Sequence, residues 1–73
     1  MKQFIAVFEY VDKMWVASCS ELRITLEEGS FDALVVRMKL AVQDIVEMEL
    51  GHKGDIQLVI TMQDRIEEIR VAG

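Results

Sequence analysis

Few residues of this chain are able to do chemistry, and they lie far apart in the sequence. The single cysteine is Cys19 and the single histidine is His52. A nucleophilic thiol needs a neighbouring base that activates it, and a catalytic histidine needs a group that orients it. Neither residue lies in a motif that supplies such a partner. We therefore predict that Cys19 is an inert, partly buried thiol and that His52 is an exposed turn residue.

Acidic side chains are the remaining candidates for a chemical site. Glu21, Glu27 and Glu28 lie close together in the sequence, and Asp12 falls on the predicted first hairpin. Carboxylates of this kind hold Mg²⁺ when a substrate phosphate completes the coordination, but solvated charges at turns and strand ends explain them more simply. We predict no catalytic residue, no cofactor and no metal ligand, and hence a protein that is not an enzyme.

The composition predicts one folded domain over residues 1–73. Of the 73 residues, 52% are hydrophobic and none is proline, which is typical of a compact globule. A homodimer that buries more apolar surface would suit so short a chain. One cysteine excludes an internal disulfide and fits a reducing compartment. We find no signal peptide and no apolar run long enough to cross a membrane, so we expect a cytoplasmic protein.

The charge balance bears on the class of partner. Thirteen acidic residues against eight scattered basic residues give a net charge of −5. Nucleic-acid affinity comes mainly from Lys and Arg side chains that neutralise phosphates, so this domain is expected to bind nucleic acid poorly. The acidity suits a basic partner protein, although charge that only keeps a small domain soluble is the simpler explanation.

Alternating patterns near the N-terminus predict three strands. Residues 3–11 form the first, and both of its faces are largely apolar, which indicates a central strand or one whose second face is covered by a partner. A turn at residues 12–14 leads to a second strand over 14–18. A polar link over 19–23 then leads to a third strand near 24–27.

An amphipathic helix is predicted from about residue 31 to about residue 50. Ser30 can accept a hydrogen bond from an amide of the first turn, and Gly51 is a permissive residue where the helix stops. Apolar residues recur at spacings of three and four, which indicates one stripe packed on a sheet. The stripe comprises Phe31, Leu34, Val35, Met38, Ala41, Val42, Ile45 and Val46.

The C-terminal third predicts at least one more strand. Residues 52–54 form a turn, and 55–62 alternate as a half-buried strand. A turn at 63–65 follows, and residues 66–71 form either an edge strand or a frayed tail. The whole chain therefore predicts an α+β domain in the order β-β-β-α-β. Its antiparallel sheet has three to five strands, and one long helix packs on one face.

This order of elements and the local motifs together resemble the HicB antitoxin family, and most closely its short stand-alone relatives of unknown function. The family pattern runs from an aromatic hairpin with Trp-Val-Ala through an acidic Ile-Pro-Gly-Leu-like turn and an acidic strand end to a Thr-Leu-x-x-Leu helix start. The matching segments here are Trp15-Val16-Ala17, Glu21-Leu22, residues 24–27 and residues 30–34. The chain departs from the pattern at Arg23, which stands in place of Pro-Gly.

The resemblance implies a sheet-and-helix domain, similar to a double-stranded-RNA-binding fold, that neutralises a small ribonuclease toxin by contact. Full-length antitoxins of this family usually add a C-terminal segment that binds the operator. The 73 residues contain no such segment, so operator binding is not expected of them.

We therefore predict an antitoxin-type protein–protein interaction domain whose partner is a basic ribonuclease toxin. Two alternatives remain open, namely a homodimeric structural domain and an RNA-binding module of double-stranded-RNA-binding fold. Aromatic residues of the first hairpin could stack bases in the second case, but we expect Trp15 to be at least half buried. The predicted partner-contact residues are Ala33, Val36 and Leu40, which project from the helix side opposite the stripe.

Overall fold

Five strands form one sheet against a single long helix in this computed structural model. The structure describes residues 2–49, 51, 55–62 and 65–72, with the backbone alone at 65–67 and 70–72. The elements are β1 (Lys2–Val11), β2 (Met14–Cys19), β3 (Ile24–Glu28), α1 (Phe31–Glu49), β4 (Ile56–Met62) and β5 (Arg65–Ala72). The predicted α+β class is confirmed. The segment that the sequence left as an edge strand or a frayed tail is a strand.

The sheet is mixed, so the predicted all-antiparallel sheet is wrong. The strand order is β3-β2-β1-β4-β5, and β1 and β4 pair in parallel while the other neighbouring pairs are antiparallel. Two chain reversals make β3 run in the same direction as β1. The helix then returns the chain along the sheet, so β4 begins at the end where β1 begins. At that end the Lys2 N–H donates to the Asp55 carbonyl at 3.1 Å.

The core lies between α1 and one face of the sheet. Alternate residues of the strands point toward the helix, as a period of two requires. The buried hydrophobic residues are Phe4, Ala6, Phe8, Ala17, Cys19, Ile24, Leu34, Met38, Val42, Val46, Ile56, Leu58 and Ile60. The other four residues of the predicted helix stripe are partly buried against the same core, so the stripe is confirmed.

The helix is anchored at its N-terminal end by a cap and an ion pair. Ser30 Oγ accepts from the Ala33 N–H at 3.1 Å, which confirms the predicted cap. Arg37 Nη1 lies 2.6 Å from Glu28 Oε2 and donates to the Glu27 carbonyl at 3.2 Å. The first turns of α1 are therefore attached to the end of β3. The helix ends at Glu49, as expected close to Gly51, whose φ is 62°.

Three non-glycine residues in the connections adopt left-handed backbone conformations. Asp12 and Lys13 have φ of 51° and 66° and form a two-residue loop, since Val11 pairs directly with Met14. The turn predicted over 12–14 is thus one residue shorter. Arg23, with φ of 56°, follows a 3₁₀ turn at Ser20–Leu22, in a conformation that glycine adopts at lower cost. The turn predicted over 52–54, and residues 63 and 64 of the next one, lie outside the described residues.

Candidate functional site

The helix covers one side of the sheet, and the opposite side is here called the open sheet face. Across the described part of the chain, α1 is the one long helix, and it packs on the side that carries Phe4, Ala6 and Phe8. The side chains that the structure describes on the open sheet face belong to the alternate strand residues Gln3, Ile5, Val7, Glu9, Val11, Met14, Val16, Ser18, Thr25, Glu27, Gln57, Val59, Thr61 and Glu68.

The centre of the open sheet face is apolar and accessible to solvent. Ile5, Val7 and Val11 on β1 are 52%, 43% and 46% exposed. The register places Ile5 beside Val59 of β4, so apolar side chains continue from one strand to the next. Contiguous exposed apolar patches of this kind typically mark interaction sites. The sequence left two explanations for the apolar second face of β1, namely a central position in the sheet or cover by a partner. The central position is confirmed, and none of the described elements packs on this face.

Hydrogen bonds organise one end of this face. Gln3 Nε2 donates to Gln57 Oε1 at 2.6 Å, and Gln57 Nε2 donates to Glu68 Oε2 at 2.7 Å. These two bonds join β1, β4 and β5 through their side chains. The carboxylate of Glu68 therefore already has a donor within the domain.

Glu9 is placed differently from Glu68. It lies between Val7 and Val11 along β1 and beside Val16 of β2, so its neighbours on this face are valines. None of the described residues donates a hydrogen bond to its carboxylate. A surface that covered this face would remove Glu9 from water, and a buried charge is costly unless it is paired.

A cavity lies beside the second half of β1 and is here called the β1 cavity. Among the described residues, the pairing of β1 with β4 runs as far as Val7 and Thr61, whereas the pairing of β1 with β2 continues to Val11 and Met14. The cavity has a volume of about 620 Å³ and is open to solvent. It is lined by Val7, Phe8, Glu9, Tyr10, Val11, Trp15, Thr61 and Met62.

Two aromatic rings at this cavity are held in fixed relative positions. Trp15 packs edge-on against Phe31 of the helix with ring centroids 5.1 Å apart, and Tyr10 lies 5.2 Å from Trp15. Trp15 is more than half buried, as predicted. Tyr10 is 59% exposed. The pair therefore presents aromatic surface to solvent from a position that is fixed by the helix.

The predicted partner-contact residues lie along the outer side of α1. Val36 and Leu40 are 56% and 57% exposed, one helical turn apart, whereas Ala33 is half buried at the capped end. The acidic residues Asp44 and Glu47 follow on the next turns. Two exposed apolar side chains form a smaller surface than the open sheet face. Their role in a contact remains a prediction.

The other side chains considered for chemistry do not come together. Cys19 is completely buried, and its burial raises the pKa of the thiol, with a smaller rise from the Glu21 carboxylate and opposing hydrogen bonds from the backbone of Leu22 and Glu21. Glu28 pairs with Arg37, while Glu27 lies on the open sheet face and Asp12 in the hairpin turn. Within the described ranges, no group of three His, Cys, Asp or Glu residues is placed to hold a metal ion. His52 lies outside those ranges.

Membrane insertion by a helix finds no support in the described residues. α1 is not apolar enough over a sufficient length to cross a bilayer.

Sequence reasoning missed Glu9 and the β1 cavity as a candidate site. The signal for Glu9 was present, because it is the one charged residue on a face of residues 3–11 that also carries Ile5, Val7 and Val11. The cavity had no such signal in the sequence, because it depends on how far β4 extends beside β1. The extent of that pairing is set by two segments that lie far apart in the chain.

No protein-family model matches the chain, and neither a curated protein nor a solved structure shows significant similarity to it.

Proposed function

We propose that this domain is an antitoxin-type protein–protein interaction module that binds and neutralises a small basic ribonuclease toxin in the cytoplasm. The observation that carries the proposal is the open sheet face, an exposed apolar surface with acidic side chains. An interface with an apolar centre and polar surroundings has the anatomy that protein–protein contacts usually show.

The charges on this face favour a basic partner. Its described charged side chains are Glu9, Glu27 and Glu68, all of them acidic, and the whole chain carries a net charge of −5. Complementary charge accelerates association and disfavours acidic partners. The same charges disfavour the RNA-binding alternative, because phosphates would be repelled from this surface.

The class of partner comes from the resemblance to HicB antitoxins. That resemblance rests on the Trp15-Val16-Ala17 hairpin strand and on the helix start at residues 30–34. In that family a comparable sheet-and-helix domain neutralises a ribonuclease by direct contact. An inhibitor that acts by contact needs no catalytic group of its own, so its function depends on a binding surface alone.

A homodimer is the second candidate, and exposure of Val36 and Leu40 on the outer side of α1 favours it. The two residues would lie at the centre of a contact between two helices. This contact leaves the open sheet face accessible, so a dimer of this kind is compatible with toxin binding.

Co-expression with the product of the adjacent small basic reading frame tests the proposal. We expect that product alone to arrest growth through RNA cleavage, and the present chain to restore growth and to co-elute with it in size-exclusion chromatography. Val7→Asp places a charge in the apolar centre of the open sheet face and should abolish the rescue while the circular dichroism spectrum is unchanged. Absence of such a reading frame, or of any rescue by the wild-type chain, would contradict the proposed function.

A further inference from the structure

The β1 cavity combines side chains from both faces of the sheet. Glu9 and Val7 belong to the open sheet face, whereas Tyr10 and Trp15 are paired across the hairpin on the helix side. Both sets line one space because β1 extends four residues past Val7, the last residue that pairs with a described residue of β4. An occupant of the cavity would therefore contact a carboxylate and aromatic rings at the same time.

The chemistry of the lining selects the kind of occupant. Among the described residues that line the cavity, Glu9 is the one that carries a charge, so an anion would be repelled and a metal ion would find a single carboxylate there. A purely apolar occupant would leave Glu9 desolvated without a partner. A guanidinium group meets all the requirements, since it pairs with a carboxylate through two parallel hydrogen bonds and stacks on aromatic rings.

We infer that the β1 cavity binds an arginine side chain presented by a basic protein that docks on the open sheet face. Val7, Glu9 and Val11 belong both to the cavity and to that face, so a protein that covered the face would extend into the cavity. The methylene groups of the arginine then pack against Val11 and Met62, and its guanidinium group meets Glu9, Tyr10 and Trp15.

Charge favours a different protein over a second copy of this chain. Each copy carries a net charge of −5. Two open sheet faces placed together would bring Glu9, Glu27 and Glu68 of both copies into one interface, and the side chains that the structure describes on either face include no basic one. Arg70 pairs with Gln57 in the backbone register. The inference rests on the proposed function only for the identity of the protein that carries the arginine.

A small cationic probe tests the cavity without any toxin. Trp15 is the single tryptophan of the chain, so its fluorescence and its indole N–H resonance report directly on this position. We expect N-acetyl-L-arginine amide to shift the resonances of Glu9, Tyr10 and Trp15 with a dissociation constant on the order of millimolar, as befits one side chain. The neutral N-acetyl-L-citrulline amide, which has nearly the same shape, is expected to cause no such shifts.

Three variants assign the response to the lining residues. Glu9→Gln removes the charge with little change in shape and should weaken binding about tenfold. Tyr10→Leu keeps an apolar side chain but removes the ring, and should weaken binding about threefold. Glu47→Gln, on the outer side of the helix, removes an equal charge elsewhere and should leave binding unchanged.

The possible results separate this inference from the proposed function. Equal shifts with the citrulline compound, no shifts with the arginine compound, or unchanged binding by Glu9→Gln would overturn the arginine site and leave the proposed function standing. A toxin that binds wild type and Glu9→Gln equally well would do the same. If the arginine compound binds as expected but the co-expression experiment yields no toxin partner, the proposed function alone would be refuted. A wild-type dimer that Val7→Asp converts to a monomer would assign the face to a second copy and overturn the inference.

Discussion

Trp15 connects the first hairpin to the helix, and its removal tests the importance of that contact. Its ring packs against Phe31 and Tyr10 at 5.1 and 5.2 Å. We expect Trp15→Ala to lower the free energy of unfolding by about 3 kcal/mol, because a large, mostly buried aromatic side chain leaves a cavity. That is a large share of the roughly 4–11 kcal/mol typical of a domain of this size. Urea unfolding gives the value, with Trp15→Phe as a milder control; a loss below about 1 kcal/mol would contradict the packing role.

The thiol of Cys19 should be unreactive in the folded protein. Burial raises its pKa above the unfolded value, so the folded state favours the protonated thiol at neutral pH. A thiol reagent at about pH 8 should therefore label Cys19 slowly in buffer and rapidly in denaturant, because the thiolate is the reactive form. Fast labelling of the native protein would show that the thiol is accessible.

The same pKa shift makes stability depend on pH in the alkaline range. Because the folded pKa lies above the unfolded one, the stabilisation is fully present below the unfolded pKa and is lost as pH rises from that value through the folded pKa. We expect the free energy of unfolding to fall above about pH 9 more steeply in wild type than in Cys19→Ala. Parallel pH profiles of the two proteins would remove Cys19 as a cause.

At the scale of the elements, the start of α1 depends on one hydroxyl. Ser30 Oγ accepts from the Ala33 N–H at 3.1 Å. We expect Ser30→Ala to lower the free energy of unfolding by about 0.5–2 kcal/mol and Ser30→Gly by only a few tenths, since glycine is tolerated at a cap. Chemical denaturation of the three proteins compares them. Equal losses would indicate that the hydroxyl makes no effective cap.

In the loop of the first hairpin, Lys13 adopts a backbone conformation that non-glycine residues disfavour. Lys13 has φ of 66° in a two-residue loop whose preferred sequences are Asn-Gly and Asp-Gly. Lys13→Gly creates Asp-Gly and should raise the free energy of unfolding by about 0.5–1 kcal/mol. The left-handed conformation costs a non-glycine residue about 1–2 kcal/mol, and the extra backbone entropy that glycine loses on folding offsets about 0.5–1 kcal/mol of that relief. Met14→Gly, at a strand position, serves as the opposite control and should destabilise. No gain from Lys13→Gly would mean that the loop is not strained.

At the scale of the whole molecule, two exposed apolar surfaces compete for the role of interface. Val7 on the open sheet face is 43% exposed, and Leu40 on the outer side of α1 is 57% exposed. Both positions are accessible to solvent in the single domain, so Val7→Asp and Leu40→Glu should each leave the domain folded. A charge becomes costly only where a partner removes it from water.

We expect Val7→Asp to abolish binding of the basic partner and Leu40→Glu to weaken any self-association. Sedimentation velocity and titration calorimetry measure the two effects on the same pair of proteins. Loss of partner binding in Leu40→Glu with retention in Val7→Asp would move the toxin contact to the helix.

Local patterns in the sequence were sufficient for most of the secondary structure and for the composition of the core. The helix stripe, the Ser30 cap and the alternation of residues 3–11 depend on neighbours within a few positions, where side-chain spacing and backbone preference act directly. The burial of Trp15 was also expected from the large apolar area of its ring, although the contact with Phe31 belongs to the tertiary structure. The exposed positions of Val36 and Leu40 follow from helical spacing alone.

Only the tertiary structure decided how the strands are arranged and where the candidate site lies. The parallel pairing of β1 with β4 joins residues more than 50 positions apart, and no local pattern encodes which edge of a strand receives a distant partner. That pairing makes β1 central, and among the described residues it ends at Val7, where the β1 cavity begins. The sequence determined that Glu9 lies among apolar residues, and the fold determined that Tyr10, Trp15 and Met62 line one cavity with it, because such a cavity exists only between segments that the fold brings together.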